Sequence, residues 1–437
     1  MDDGEPRAAR GSHKKWWIAL AVVVALVIAG GLYLVLSRNS VEKRLAAIRE
    51  AGYPTNFAEL AEYNKLPEGV KNAAGLYEEA FYSLVELERD ANVPLFSEVT
   101  LPDRGEALPE EMAEAISRCL EENQKCLGLL RKAGGIEHCR YTWDYSGGTP
   151  SHLRETRECA RLLHLAAVLR AHEGDAEAAV AFMKDGLRLA DSHEGEPFLI
   201  NHLVRVACIA VPLSSLERVL STTPLAEDHL RDLRDMMARM RGSIDLTEVL
   251  VMERCFMIEC FSNPAPQAGL GGGHTILNIP IIGKMGLIDL LDYFRDCIEA
   301  SKLDGTERKA RFQEIEKEVE ELSFLHTVIK VFAPAMSRIG VVDLKIQGHL
   351  DLAQAATAIE RYRLAEGKLP GRLEELVGEY LEEVPIDPFN GKPIKYKRTE
   401  PGYVLYSIGE DCEDNGGVER DKEKRDQPWD VTFIVPR

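Results

Sequence analysis

The sequence predicts a mainly α-helical protein with an N-terminal transmembrane helix, an α-helical body, and a small α+β C-terminal domain that contains a short antiparallel sheet. Three observations predict this class. Residues 16–36 form an uncharged apolar run, and apolar residues recur at helical spacing through residues 40–340. Short alternating segments with turn residues follow only after residue 390. We therefore expect the helical body to connect a membrane anchor to a C-terminal domain at residues 341–437.

Length and composition limit the possible classes of protein. A chain of 437 residues is long enough for two or three domains with their own cores. The net charge of −19 disfavours a nucleic-acid partner, because binding a phosphate backbone requires positive potential. The nine cysteines match no metal-binding spacing and no Cys-x-x-Cys pair, so we expect mostly buried free thiols. One or two disulfides are the alternative for an exported chain.

The N-terminal region predicts a membrane anchor. Residues 1–15 are polar and mixed in charge, which predicts disorder. Residues 16–36 carry no charged side chain, and as a helix they would cover about 30 Å, the thickness of a bilayer core. The run is longer than the apolar region of a signal peptide and lacks a clear cleavage site. We predict an uncleaved, single-pass anchor in the inner membrane, with a slight preference of the flanking basic residues for a cytoplasmic N-terminus.

The body at residues 40–340 shows successive helical patterns separated by Pro and Gly. Its clearest unit is a helical hairpin near residues 159–192, which turns at Gly174-Asp175 and carries small residues at Ala179 and Gly186. The unit resembles a single tetratricopeptide repeat, and no second copy is evident. An aromatic loop at residues 141–148 fits either local packing or the lining of a groove.

The C-terminal domain is predicted to begin with a long helix that ends at Gly367. A second helix is expected over residues 373–381, and a turn cluster follows at residues 385–391. Alternating apolar and polar residues then predict three strands, the first two joined as a hairpin. The strands are expected at residues 393–397, 403–408 and 430–435.

Four short motifs recur here in a recognisable order: Ala-Ile-Glu-Arg-Tyr-Arg at 358–363, Glu-Gly-Lys-Leu-Pro at 366–370, Asp-Pro-Phe-Asn-Gly-Lys-Pro at 387–393, and Tyr-Val-Leu-Tyr-Ser-Ile-Gly at 403–409. Together they resemble the major (G-type) pseudopilin of type II secretion. The resemblance implies a domain that works outside the inner membrane. The chain departs from that family because residues 37–340 separate the anchor from the domain, and because no prepilin processing motif precedes the anchor. The whole chain is similar to membrane-anchored bacterial proteins with a helical, TPR-like body.

An acidic loop follows the predicted hairpin. Asp411 and Asp414 lie in this loop, and Asp430 begins the last strand. Calcium takes six to eight oxygen ligands, usually including several carboxylates. The pseudopilin resemblance implies that the loop binds Ca²⁺ through Asp411, Asp414 and Asp430. A solvated acidic turn without metal is the alternative, because the loop also carries Cys412 and a charged insertion at residues 419–426.

Motifs for catalysis are absent from the sequence. The eleven histidines include no His-Glu-x-x-His, and no Gly-x-Ser-x-Gly is present. The sequence therefore favours a membrane-anchored scaffold or interaction protein over an enzyme. The pseudopilin resemblance implies a place in the bacterial envelope, with envelope proteins as partners and a link to type II secretion or pilus-like machinery. The bulk of the chain is expected outside the cytoplasm. The first alternative is an envelope hydrolase with a site in a groove of the helical body near residues 141–145. The second is a peptide-binding helical module with an open groove lined by residues of the helices at 152–220.

Overall fold

The computed structural model describes residues 12–85, 93–143, 152–262, 280–323, 326–400, 402–421, 424 and 427–437. Across these residues the chain is mainly helical, and a small three-stranded antiparallel sheet lies near the C-terminus. The prediction of a mainly α class with a short C-terminal sheet is confirmed. Of the N-terminus predicted to be disordered, residues 1–11 lie outside the described residues. Ser12 already begins a helix, because extending an existing helix requires no new nucleation.

The helices of the described residues follow the predicted order. They are α1 (Ser12–Glu50), α2 (Phe57–Tyr63), α3 (Ala74–Tyr82), α4 (Glu110–Glu122), α5 (Gln124–Gly134), α6 (Leu153–His172), α7 (Ala176–Asp191), α8 (Leu199–Thr222), α9 (Glu227–Gly242), α10 (Leu246–Ser262), α11 (Pro280–Ser301), α12 (Gly305–Glu321) and α13 (Thr327–Glu366). The hairpin predicted near residues 159–192 is formed by α6 and α7. Asp175 begins α7, where its side chain accepts the N–H of Ala178 at 2.9 Å.

One predicted helix, at residues 110–132, is instead two helices that meet at Asn123. The Asn123 side chain is buried and donates to the carbonyl of Cys119 at 3.0 Å. Its oxygen accepts the N–H of Val85 at 2.9 Å. Asparagine side chains compete with the helical hydrogen-bond ladder in this way, so the chain bends here and α5 turns onto α3.

Most of the body shares one hydrophobic core with the C-terminal segment. Buried residues of α3 to α9 pack together with α13 and with the inner face of the sheet, for example Leu165, Leu216, Ala356 and Phe433. Each fully buried large apolar side chain contributes roughly 1.5–3 kcal/mol to folding. The boundary predicted at residues 340 and 341 falls inside α13, so the helical body and the C-terminal domain are physically continuous there.

The sheet comprises β1 (Lys395–Arg398), β2 (Tyr403–Ser407) and β3 (Val431–Val435), with β2 in the centre. All three strands were predicted within two residues of these bounds. In β3, buried and half-buried side chains alternate, which is the period of a strand with one face on a core. That face packs on α13, where the Tyr403 hydroxyl donates to Glu360 at 3.1 Å.

The second helix predicted in the C-terminal domain, over residues 373–381, is wrong. The structure has only a single 3₁₀ turn at Leu373–Leu376. Val377 is extended, and Gly378 has a φ of +98°, a conformation that glycine adopts without strain. The N–H of Gly378 then bonds to the carbonyl of Leu381 at 2.8 Å. The apolar periodicity of this segment is therefore satisfied by a compact turn that packs on α13.

Helix α1 is 39 residues long and is attached to the body through its C-terminal part. Arg44 makes a two-pronged ion pair with Asp292 of α11 at 3.0 and 2.8 Å. Three apolar residues of α1 also pack against a second core formed by α10 to α13: Val41, Leu45 and Ile48. At the other end, the side chains of residues 16–24 are all exposed, including Trp16 at 74% and Trp17 at 69%.

Among the described side chains, a single helix is long and apolar enough to cross a membrane, namely α8. Most of its apolar residues are buried in the main core, as in the central helix of a globular bundle. The side chains of residues 25–38 lie outside the described set. The anchor expected at residues 16–36 therefore stays a prediction.

Candidate functional site

A cleft of about 450 Å³ opens between the segment after α5, the end of α7, and α9. Its walls are rich in charged side chains, and three arginines come from three separate elements. The lining residues are Leu66, Tyr77, Gly134, Ile136, Glu137, His138, Cys139, Arg140, Arg188, Asp191, Ser192, Glu194, Met236 and Arg239. The volume lies in the range of small-ligand sites in proteins.

Asn72 fixes the segment that carries Arg140. The N–H of Arg140 donates to Asn72 Oδ1 at 3.0 Å, and Asn72 Nδ2 donates to the Arg140 carbonyl at 2.8 Å. The next residue, Ala73, donates its N–H to the carbonyl of His138 at 2.9 Å. These bonds hold residues 138–140 against the N-terminus of α3, so the Arg140 side chain starts from a fixed backbone.

The Arg140 guanidinium is itself held by backbone carbonyls. Its Nη1 donates to the carbonyl of Cys139 at 3.0 Å and to that of Glu194. It lies so close to Gly195 that a Cβ there would overlap Nη2, and Gly195 also has a φ of +67°. Only glycine fits both conditions. Among the described residues, no carboxylate lies within ion-pair distance of Arg140.

The other two arginines are also incompletely paired. A Cβ at Gly134 would lie 2.8 Å from Cδ of Arg188, so glycine makes room for this side chain. Arg188 reaches Asp185 only at 3.4 Å, since Asp185 bonds more closely to Arg131 at 2.9 Å. Arg239 is exposed on α9, and its guanidinium has no carboxylate partner among the described residues.

Two acidic residues of the cleft, Asp191 and Glu194, are paired with an arginine that does not line the cleft. Arg205 of α8 is almost fully buried, and its Nη2 donates to Asp191 at 3.0 Å and lies 3.9 Å from Glu194. The same guanidinium donates to the carbonyl of Ser243 at 3.0 Å. Arg205 carries one positive charge, so it offsets one of these two carboxylates, and the three arginines that face the cleft exceed the negative charge that remains.

A buried polar and aromatic cluster lies beside the cleft. Tyr141 donates through its hydroxyl to Ser192 at 3.0 Å and through its N–H to Glu196 at 3.1 Å. Trp143 donates to the second oxygen of Glu196. Burial raises the pKa of Glu196 to about 7. Residues 141–143 of the predicted aromatic loop thus serve local packing, and residues 144–148 lie outside the described residues.

The chemistry of this region does not support nucleophilic catalysis. Burial raises the pKa of the Cys139 thiol to about 12, which leaves it protonated and unreactive at neutral pH. His193 pairs with Thr156 at 3.0 Å, and burial lowers the pKa of His193 to about 3. The His193 ring packs against Tyr141 in the core and does not line the cleft. These residues stabilise the wall of the cleft.

The carboxylates predicted to bind calcium are occupied by hydrogen bonds. Asp430 is buried and accepts the N–H groups of Asn415 at 3.3 Å and Gly417 at 2.7 Å. Asp411 accepts from the backbone of Glu413 and from the amide of Asn415. Asp414 accepts the N–H of Gly416 and lies 3.5 Å from Lys395.

As arranged, these three residues do not form a ligand set. Among the described residues, no group of three or more His, Cys, Asp or Glu side chains is placed to hold a metal ion. Each carboxylate instead orders the loop by accepting N–H groups. The calcium assignment to Asp411, Asp414 and Asp430 stays a prediction from the sequence.

The Asp-Pro-Phe-Asn-Gly turn has a structural role. Asp387 is fully buried and accepts the hydroxyl of Ser407 at 2.7 Å and the N–H of Ile408 at 2.8 Å. It also accepts the N–H of Phe389 at 2.9 Å. One carboxylate therefore ties the turn to the end of the central strand β2.

Sequence reasoning missed the arginine cleft. Its residues come from segments up to about a hundred and seventy positions apart, and no local pattern joins them. The aromatic loop, next to Arg140, was the sole nearby signal. No protein-family model matches the chain, and comparisons with curated proteins and with solved structures give no match. The pseudopilin resemblance therefore stays a prediction.

Proposed function

We propose that this protein is a membrane-anchored scaffold or interaction protein of the bacterial cell envelope, with the helical body and its C-terminal sheet held outside the cytoplasm. The observation that carries the proposal is the exposed apolar end of α1. Residues 16–24 are all exposed, and they include two tryptophans and a run of aliphatic residues. So large a contiguous apolar surface on a helix end requires either a membrane or a protein partner to cover it.

The attachment of α1 supports an anchor. The bidentate Arg44–Asp292 pair and the packing of Val41, Leu45 and Ile48 hold its C-terminal part against α11. A helix of 39 residues is roughly 58 Å long, enough to cross a bilayer core and still reach the body. Trp16 and Trp17 lie at the N-terminal end of the apolar run, and aromatic side chains prefer such positions at the membrane interface.

The properties of the cleft favour a scaffold over a hydrolase. Its thiol has a raised pKa, and the nearby His193 is buried in a packing role. What the cleft offers instead is a concave, charged surface fixed by the bonds of Asn72 and Arg140. Such a surface suits recognition of a partner, which keeps a peptide-binding module as the second candidate function.

Membrane insertion is tested by placing charges on α1. Val22→Arg with Val23→Arg puts two guanidinium groups in the exposed apolar run, at a cost of roughly 2.5–3.5 kcal/mol each near a bilayer centre. The matched control, Ala46→Arg with Ala47→Arg, adds the same charges at exposed positions of the same helix beyond the run.

We expect the wild-type and control chains to stay in the membrane pellet after alkaline carbonate extraction, and the Val22/Val23 variant to be released. If carbonate releases the same fraction of all three chains from the membrane pellet, the proposal of a membrane anchor is refuted. A reporter that is active only outside the cytoplasm, fused after Arg437, then tests orientation. Crosslinking of the same fusion should recover envelope proteins, and an inactive reporter would place the body in the cytoplasm and remove the link to secretion machinery.

A further inference from the structure

We propose that the cleft between α5, α7 and α9 binds an acidic peptide segment, whose carboxylates are held by the guanidinium groups of Arg140, Arg188 and Arg239. The proposal rests on the cleft alone. It holds whether or not α1 is a membrane anchor, and it names a ligand class that the scaffold function leaves open.

The three arginines of the cleft have few ion-pair partners among the described residues. The chain has 72 acidic and 53 basic residues, so carboxylates are in excess and a surface arginine readily finds one. Arg140 and Arg239 have no carboxylate partner among the described residues, and Arg188 has only the long contact to Asp185 at 3.4 Å. Three guanidinium groups that converge on one concavity with few close ion pairs of their own favour positive potential there.

Two acidic residues that line the cleft are paired with an arginine outside its lining. Asp191 and Glu194 are paired with the buried Arg205 from the opposite side. Glu137, at the rim, is 88% exposed and lies 4.0 Å from His138. Three arginines and the buried Arg205 stand against three carboxylates, those of Glu137, Asp191 and Glu194, so the cleft has an excess of one positive charge in a strongly acidic protein.

The side chain of Arg140 is preorganised for binding. Arg140 is bonded through its backbone to Asn72 and through its guanidinium to two carbonyls, and Gly195 lets it lie flat against the turn before α8. A guanidinium held in this way loses little conformational entropy when it binds an anion.

The shape of the cleft favours a peptide over a bare anion. Half-buried apolar side chains stand among the arginines, namely Leu66, Ile136 and Met236. They offer contact area for the aliphatic parts of a chain, while the guanidinium groups fit carboxylates in a bidentate manner. A cleft of about 450 Å³ has room for several side chains.

The test uses the full chain in detergent and fluorescence anisotropy. The probe is a labelled hexapeptide with two glutamates and an amidated C-terminus, and its matched control has glutamine at both positions. Unlabelled glutarate and inorganic phosphate serve as competitors. We expect the glutamate peptide to bind, the glutamine peptide not to bind, and glutarate to compete better than phosphate.

Variants then locate the site. Arg239→Gln changes an exposed side chain that has no ion pair with any described residue, so folding should be unaffected, and we expect peptide binding to weaken about tenfold. Arg234→Gln is the matched control, because it lies on the same helix outside the cleft and pairs with its neighbour Asp235. Its binding should equal that of the wild type. Arg140→Gln, checked for folding by circular dichroism, should also weaken binding.

Three outcomes would overturn the proposal. The first is equal binding of the glutamate and glutamine peptides, and the second is an equal effect of the Arg239 and Arg234 substitutions. The third is stronger displacement by phosphate than by glutarate, which would assign the site to a phosphate group. None of these outcomes bears on carbonate extraction, so failure here is distinguishable from failure of the membrane anchor.

Discussion

Asp343 of α13 and His202 of α8 face each other in the core, with Oδ1 and Nε2 separated by 3.2 Å and both side chains almost fully buried. The second oxygen of Asp343 accepts from Arg308 of α12 at 2.9 Å and from Gln347 at 2.8 Å. One carboxylate thus lies where α8 meets the consecutive helices α12 and α13. Because the charge is buried, its partners are needed to compensate its lost hydration.

Replacing this carboxylate should destabilise the fold. In Asp343→Asn, the half-buried Arg308 loses its ion pair, and we expect the free energy of unfolding to fall by about 3 kcal/mol. Urea unfolding of the full chain in detergent measures this change. Asp296→Asn removes a more exposed pair with Arg295 and should cost less than about 1 kcal/mol. A similar small loss in both variants would show that the buried network adds nothing to stability.

Glu196 should make stability depend on pH. Burial raises its pKa from 4.5 to about 7, so between these values the folded chain keeps a proton that the unfolded chain has released. Stability due to this group therefore falls as pH rises from about 4.5 to about 7, by on the order of 3 kcal/mol. We expect Glu196→Gln to lose less stability than the wild type between pH 5 and pH 8 in thermal melts.

The control for this pH effect is Glu114→Gln, on the exposed face of α4. It should reproduce the pH profile of the wild type. If Glu196→Gln also reproduces that profile, the carboxyl of Glu196 is already ionised in the folded protein at pH 5. Glu217, whose pKa burial likewise raises to about 7, would keep part of the pH dependence in every variant.

A methyl group at Gly402 should disrupt the end of the sheet. A Cβ there would overlap the carbonyl oxygen of Val435, which is a backbone atom that cannot move without breaking the pairing of β2 and β3. We expect Gly402→Ala to lower the unfolding free energy by about 1–3 kcal/mol. Gly75→Ala, at an exposed helical position with nothing nearby, should instead raise it by about 0.5–1 kcal/mol. Equal melting temperatures for both variants would contradict the close approach at Gly402.

Substitutions in the acidic loop distinguish calcium binding by its aspartates from simple hydrogen bonding. Asp430 is buried and accepts two backbone N–H groups, so Asp430→Asn should lower the melting temperature by the same amount with calcium or with a chelator. Asp411→Asn, at an exposed position, should have a smaller effect. A melting temperature that calcium raises in the wild type, but not in Asp411→Asn, would establish the calcium site predicted from the sequence.

Local pattern predicted most of the helices and all three strands, because apolar periodicity reports burial within one element. It failed where a single side chain redirected the backbone, as Asn123 does between α4 and α5, or where Gly378 ended a helix-like pattern. It also could not predict the cleft. Arg140, Arg188 and Arg239 meet only after α5, α7 and α9 have packed, and that packing depends on contacts between segments far apart in the chain.

The long helix α13 has a consequence for biosynthesis. Its residues belong to the same core as α3 to α9 and as the strand that ends at Val435. The N–H of Ile434 bonds to Glu217 of α8, so a helix more than two hundred positions earlier in the sequence covers the edge of this strand. The main core therefore cannot close until Val435 has left the ribosome. Until then the apolar faces of the body remain open to chaperones and, in an exported chain, to the translocation machinery.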